Sequence, residues 1–163
     1  RLLAGLSADA LPRALARMQP TPGARTFVRT LKAMGFRVAI VSGGFTYFTD
    51  RLRELFDLDH AFANELEVID GCLTGEVLGR VVDRRRKAEL LEAVAHLEGI
   101  PVEQTVAVGD GANDLDMLAA AGLGIAFNAK PVVAEAADAS LSVPYLDAIL
   151  FLLGIRESEV PDL

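Results

Sequence analysis

Between Gln104 and Met117 the chain reads QTVAVGDGANDLDM, an apolar stretch followed at once by two glycines and a crowd of acidic side chains. Few architectures accommodate that order. Thr105 to Val108 is β-branched and apolar, as suits a fully buried parallel strand, and Gly109 lets the chain turn sharply at the strand's carboxyl end. Asp110 is then placed at that end, and in open α/β sheets ligands bind in the crevice outside the carboxyl ends of the strands. Gly111 keeps side-chain bulk out of the crevice. Asn113 and Asp114 fall at the start of a helix, Leu115 to Ala121, whose positive end attracts anions. Asp110, Asn113 and Asp114 share one turn, where the carboxylates repel one another unless a cation is present. Magnesium fits such a turn, because it is typically held by one or two carboxylates together with substrate phosphate oxygens. Asp and Asn are also common turn and N-cap residues, an explanation that serves a lone Gly-Asp better than the whole string.

The same logic recurs upstream. Arg37 to Val41 predicts a strand, and its tip, Val41-Ser42-Gly43-Gly44-Phe45, sets a small hydroxyl and two glycines ahead of a helix from about Thr46 to Phe56. Ser42 can donate a hydrogen bond to a phosphate oxygen, with the Gly43 amide beside it and the helix N-terminus behind. Before that strand, the Leu and Ala spacing from Leu2 to Met18 predicts a helix stopped at Pro20-Thr21-Pro22-Gly23. Thr21 then caps a second helix, with Pro22 in its first turn, running through Phe27, Val28 and Leu31 to Gly35. From Ala61 to Gly79 the residues alternate, and Asp70-Gly71 suits a type I′ turn, so a β-hairpin flap is expected near the mouth of the site.

Arg84 to Glu98 predicts an amphipathic helix with Leu90, Leu91, Val94 and Leu97 inward. Lys87 lies in its first turn, where the helix dipole disfavours a cation unless it is solvated or faces an anion. Gly124 to Phe127 is a further strand, Pro131 starts a short helix, and Ser140 to Val143 and Tyr145 to Leu153 supply the last strand and helix. Repeated strand-then-helix order predicts an α/β fold, a Rossmann-like, doubly wound parallel sheet.

With 163 residues, 52% of them hydrophobic, the chain can bury a core and a single domain is expected. Its net charge of −7 argues against nucleic acid or an anionic membrane surface as partner, since both call for a basic patch; the one arginine-rich run is Arg84 to Lys87. No apolar segment reaches the roughly 18 residues of a membrane span, and the beginning at Arg1 shows no leader pattern, so a cytoplasmic location is expected. Cys72 is the single cysteine, which excludes an internal disulfide or a cysteine-built metal site. His60 and His96 are too far apart in sequence to suggest zinc.

Three segments together carry a resemblance. Val41-Ser42-Gly43-Gly44-Phe45, Lys87 before Ala88-Glu89-Leu90, and Val108-Gly109-Asp110-Gly111-Ala112-Asn113-Asp114 resemble motifs two, three and four of the haloacid dehalogenase (HAD) superfamily. TPGARTFVRTLKAMGFRVAIVSGGF, LTGEV and GLGIAFNAKP are similar to the catalytic domain of the phosphoserine phosphatases within it, over practically the whole chain. The resemblance implies that Ser42 and the Gly43 amide bind the transferring phosphoryl group and that Asn113 also reaches it. Lys87 neutralises the charge of that group and of the nucleophile, Asp110 ligates Mg2+, and Asp114 orients Asp110, its waters or Lys87. These roles agree with phosphoryl transfer as a matter of positioning and electrostatic stabilisation.

One departure outweighs the matches. The superfamily's first motif, Asp-x-Asp-x-Thr after an apolar strand, supplies the nucleophile and the general acid and base, and no such strand is present here. Asp57-Leu58-Asp59 follows the polar, helical Asp50 to Leu55 and corresponds to a helix-to-hairpin joint; Asp114 and Asp116 share a helix turn and cannot replace the motif. Arg1 falls about two residues past the expected substrate-binding arginine, and the helical cap is mostly missing. The expectation is therefore a HAD-like core from a larger polypeptide whose missing N-terminal segment holds the nucleophile, with a homodimer left open. The complete protein is expected to hydrolyse a small phosphomonoester, O-phospho-L-serine, through an aspartyl-phosphate, and the 163 residues alone to be inactive. A phosphatase or phosphotransferase for another small phosphomonoester, and a module that binds phosphate and metal without turnover, are the alternatives.

Overall fold

A computed structural model gives the structure of residues 2–161; Arg1 lies outside the described residues. In chain order the elements are α1 (Ala10–Leu15), α2 (Ala24–Ala33), β1 (Ala39–Phe45), α3 (Thr46–Phe56), β2 (His60–Ile69), β3 (Cys72–Leu78) and α4 (Arg84–Leu97). They are followed by β4 (Val106–Gly109), α5 (Leu115–Ala120), β5 (Leu123–Phe127), α6 (Pro131–Ala136), β6 (Ala139–Leu141) and α7 (Ile149–Leu152). Strand and helix alternate over most of the chain, which is the expected α/β class. The residues gather into two compact units, one of Arg1–Pro20 and Ala39–Val82, the other of Thr21–Val38 and Asp83–Leu163. The ladders follow the same division, as β1-β2-β3 in the first unit and β4-β5-β6 in the second rather than one continuous sheet.

In the first unit β2 is shared between a parallel and an antiparallel ladder. Its start runs parallel to β1, with Ala39 opposite His60 and Val41 opposite Phe62. Its end is antiparallel to β3, with Leu66 opposite Val77 and Ile69 opposite Cys72. The flap expected from Ala61 therefore separates from the sheet only in the second half of β2. Asp70 and Gly71 turn it with φ of 50° and 75°, the left-handed pair that a type I′ turn needs. The helix expected over Leu2 to Met18 shrinks to α1, because the preceding backbone is spent on β3. Gly5 N–H donates to the Leu73 carbonyl at 2.8 Å, Leu73 N–H donates to the Leu6 carbonyl at 2.8 Å, and Ser7 bridges the exposed Cys72. Backbone groups committed to a ladder cannot also close helical turns.

The second unit is wholly parallel, with Val108 opposite Ile125 and Ile125 opposite Ala139. Ile125 and Phe127 of the central strand pack on Ile149, and Leu31 of α2 packs on Leu150 and Ile155. The cap of α2 is Gly23 in the left-handed region, φ 80°, and not Thr21. The cause is close packing, since a Cβ at position 23 would run into the Asp147 side chain while Leu146 N–H donates to the Pro22 carbonyl at 2.8 Å.

Two strands expected to be fully buried are not. β4 lies at the edge of its sheet and Val106 is 36% exposed; β1 lies at the edge of the other and no residue of it is buried. A strand with one ladder partner buries less of its surface than a strand flanked on both sides. Among the described residues, no helix is long and apolar enough to cross a membrane.

Candidate active site

The second unit builds its site at the tip of β4. A short 3₁₀ turn, Ala112–Asp114, leads from the strand into α5, and Asp114 folds back beneath it. The Asp114 N–H donates to the Gly111 carbonyl at 2.9 Å, while its Oδ2 accepts from the amides of Gly111 at 3.0 Å and Asp110 at 3.2 Å. The other oxygen, Oδ1, takes the Lys87 Nζ at 2.6 Å, and both residues are only 5% exposed. Such a pair repays its desolvation only when the remaining lone pairs are also engaged, as the two amides do here. Lys87 stands in the first turn of α4, and the carboxylate facing it offsets the unfavourable helix dipole, which excludes the solvated alternative.

Gly109 serves close approach rather than a sharp turn. It is the last residue of β4, and a Cβ there would lie 2.5 Å from the Asp114 Cβ, inside any allowed contact. The Asp110 side chain takes no part in this contact. It is exposed, and among the described residues its carboxylate accepts no hydrogen bond and forms no ion pair. Asn113 is exposed on the same turn. No group of three or more metal-binding side chains occurs among the described residues.

Asp83, Arg84 and Asp116, to which the sequence assigned no part in the site, complete this corner. Asp83 caps α4, its Oδ1 accepting from the Arg86 amide at 2.8 Å; an Asp just before a helical run is the usual signal for that role. Arg84 donates from Nε to Asp116 Oδ1 at 2.7 Å, a bridge that ties the first turn of α4 to that of α5. No local signal announces that bridge, because its partners are far apart in sequence.

The first unit holds the second tip. β1 continues through Ser42-Gly43-Gly44 to Phe45, so the strand does not end at Val41. Between Val41, opposite Phe62, and Phe45, opposite Asn64, three residues of β1 face one of β2, and the surplus bulges out of the ladder. The Gly44 N–H donates to Ser42 Oγ at 2.9 Å, and Asn64, also missed in sequence, donates from Nδ2 to the carbonyls of Gly43 and Gly44 at 2.8 and 3.2 Å. The structure thus gathers Lys87, Asp110, Asn113 and Asp114 in the second unit and Ser42 with Gly43 in the first. Asp57, by contrast, is the left-handed C-cap of α3, φ 52°, with Leu58 buried behind it. That Asp-x-Asp follows a helix and stands on no strand tip.

The α/β frame of the second unit thus carries an acidic strand tip and, in the turn that follows it, a carboxylate paired with a buried lysine. The chain belongs to the haloacid dehalogenase-like hydrolases, whose family model matches residues 1–119. It is 59% identical over 159 residues to the phosphoserine phosphatase of Streptomyces coelicolor, an alignment that covers 98% of this chain and 39% of that one. The chain spans about two fifths of the length of several curated relatives that it matches. Two solved phosphoserine phosphatases share its fold, each at 46% identity over 95% of this chain and 73% of theirs. One, a phospho-aspartyl intermediate analogue, has a TM-score of 0.88, and the other, a substrate-bound complex, a TM-score of 0.89.

Proposed function

We propose that this chain is the C-terminal part of the catalytic core of a phosphoserine phosphatase, which hydrolyses O-phospho-L-serine to L-serine and phosphate. The observation that carries the reading is the Lys87–Asp114 pair, 2.6 Å apart and buried, with Asp114 also held by the backbone amide of the exposed Asp110. Asp114 uses one oxygen on Lys87 and the other on two amides, so it fixes the ammonium while leaving two of its three N–H donors for a phosphoryl group. Lys87 then offsets negative charge where it accumulates in phosphoryl transfer. Ser42 Oγ accepts from Gly44 N–H, so its own proton remains to be donated to a phosphate oxygen. Asn113 supplies a further donor from the β4 tip.

Asp110 is the residue that would hold a divalent cation, and Mg2+ fits a hard carboxylate with room for phosphate oxygens and water. When bound, the ion polarises the phosphoryl oxygens and neutralises their charge. The attacking carboxylate is supplied by the missing N-terminal segment, whose first motif forms the aspartyl-phosphate that water then hydrolyses. The reading also carries a cytoplasmic location, a role in serine biosynthesis and an open question of homodimer formation.

The test is phosphate release from L-phosphoserine with magnesium. The 163 residues alone should show no turnover, and joining them to the N-terminal segment, covalently or as a second polypeptide, should restore it. In that complex Lys87→Ala should lower the rate by roughly 100-fold or more, the scale of a lost transition-state charge contact. Robust turnover by the chain alone, abolished by Asp57→Asn, would make Asp57-Leu58-Asp59 the working first motif and overturn the proposal. Phosphate and magnesium binding without turnover in the complete protein would leave a non-catalytic module.

A further inference from the structure

The bulge at the tip of β1 is held by one side chain to which no function has been attached. Asn64 is 6% exposed, and each of its polar atoms is engaged: Nδ2 donates to the carbonyls of Gly43 at 2.8 Å and Gly44 at 3.2 Å, and Oδ1 accepts from the Val82 amide at 2.8 Å. Burying an amide is costly unless its donors and acceptor find partners, and here both protons go to one turn. The consequence for that turn follows from peptide planarity. No cis bond occurs in the described chain, so the carbonyl of Gly43 aimed at Asn64 sends the N–H of the same peptide, that of Gly44, to the opposite side. There it meets Ser42 Oγ at 2.9 Å. The peptide between Gly43 and Gly44 is clamped from both sides, and the Gly44 carbonyl, likewise held, turns the next N–H away from Asn64.

We propose that Asn64 is a positioning residue for an oxyanion-binding turn. It orients the glycine peptides so that their carbonyls point inward and Ser42 Oγ is held as an acceptor of the Gly44 N–H, leaving the hydroxyl proton for a phosphate oxygen. Without that clamp a Gly-Gly pair samples many backbone states, and a carbonyl that flips outward presents negative charge to the anion. The same side chain also accepts from the Val82 amide at the end of the first unit. The inference rests on reading Ser42 as a phosphate contact, and its test separates the two.

Inorganic phosphate is titrated into the 163-residue chain while the amide resonances of Ser42, Gly43 and Gly44 are followed, with hydrogen exchange at Gly44 and in the β2–β3 hairpin measured in parallel. Asn64→Ala should speed exchange at Gly44, leave the hairpin amides at Ile69 and Leu73 protected, and weaken phosphate by roughly tenfold or more. Asn64→Asp keeps an acceptor for the Val82 amide but sets carboxylate oxygens against two carbonyls, so it should lose phosphate at least as severely; it also decides the matter should the alanine variant fail to fold. A wild-type response that both folded variants retain unchanged overturns the role of Asn64 while the phosphate reading stands. The absence of any wild-type response at Ser42 to Gly44 overturns the phosphate reading and this proposal with it.

Discussion

Lys87 and Asp114 form a buried contact on which the stability of the chain and the proposed chemistry both depend. Removing one member of a buried pair strands the other charge, at a cost of about 3–5 kcal/mol, whereas removing both can be nearly neutral. Lys87→Met should therefore destabilise the chain by that order in urea unfolding. Adding Asp114→Asn should recover much of the loss, because the asparagine oxygen still accepts from the Asp110 and Gly111 amides. The double variant should nonetheless fail to support turnover in the complemented protein, and stability lost without recovery would show that the pair is not the unit it looks. Gly109 belongs to the same contact. Gly109→Ala places its methyl 2.5 Å from the Asp114 Cβ, so either the strand tip or the carboxylate must move, at about 1–3 kcal/mol.

At the level of elements, α4 is set by its first turn. Asp83→Ala removes the acceptor for the Arg86 amide and should cost about 1 kcal/mol, read as a fall in the urea midpoint at constant slope. Lys87 lies in the turn that frays, so the complemented enzyme should slow as well. A full loss of stability with no change in rate would show that α4 positions Lys87 without help from its cap. These elements also mark what was legible in the sequence. α3, α4 and the Asp70-Gly71 turn stand where local signals put them, since caps, glycines and hydrophobic period act within a few residues; Leu97 alone departs, expected inward but 70% exposed in the last turn of α4. The overlong first helix, the Thr21 cap and the buried character of β1 and β4 failed because long-range pairing decided them: Leu73 drew off the backbone of Gly5 and Leu6, and Asp147 filled the space beside Gly23. At the site, the residue types at the two strand tips were visible, but Asn64 and the Arg84–Asp116 bridge were not, because each spans a sequence separation that no local pattern encodes.

At the scale of the whole molecule, the feature to explain is that each unit ends its sheet on the strand that carries its site. β1 and β4 are apolar and parallel to their neighbours, and each is the end strand of its ladder among the described residues, with Val106 36% exposed. An open parallel edge exposes unpaired backbone groups and apolar side chains, a liability that proteins ordinarily cover. A strand bearing the first motif would cover such an edge and bring the second carboxylate that a lone Asp110 lacks. Two measurements follow on the same material. The isolated chain should bind magnesium weakly by titration calorimetry, and the N-terminal segment should tighten that binding and be opposed by Asp110→Asn. The segment should also slow hydrogen exchange at the amides of β1 or β4 that are open in the isolated chain. Tight magnesium binding by the 163 residues alone would mean that the site draws on groups other than Asp110. Restored activity with no added protection at either edge would mean that the nucleophile arrives on something other than a paired strand.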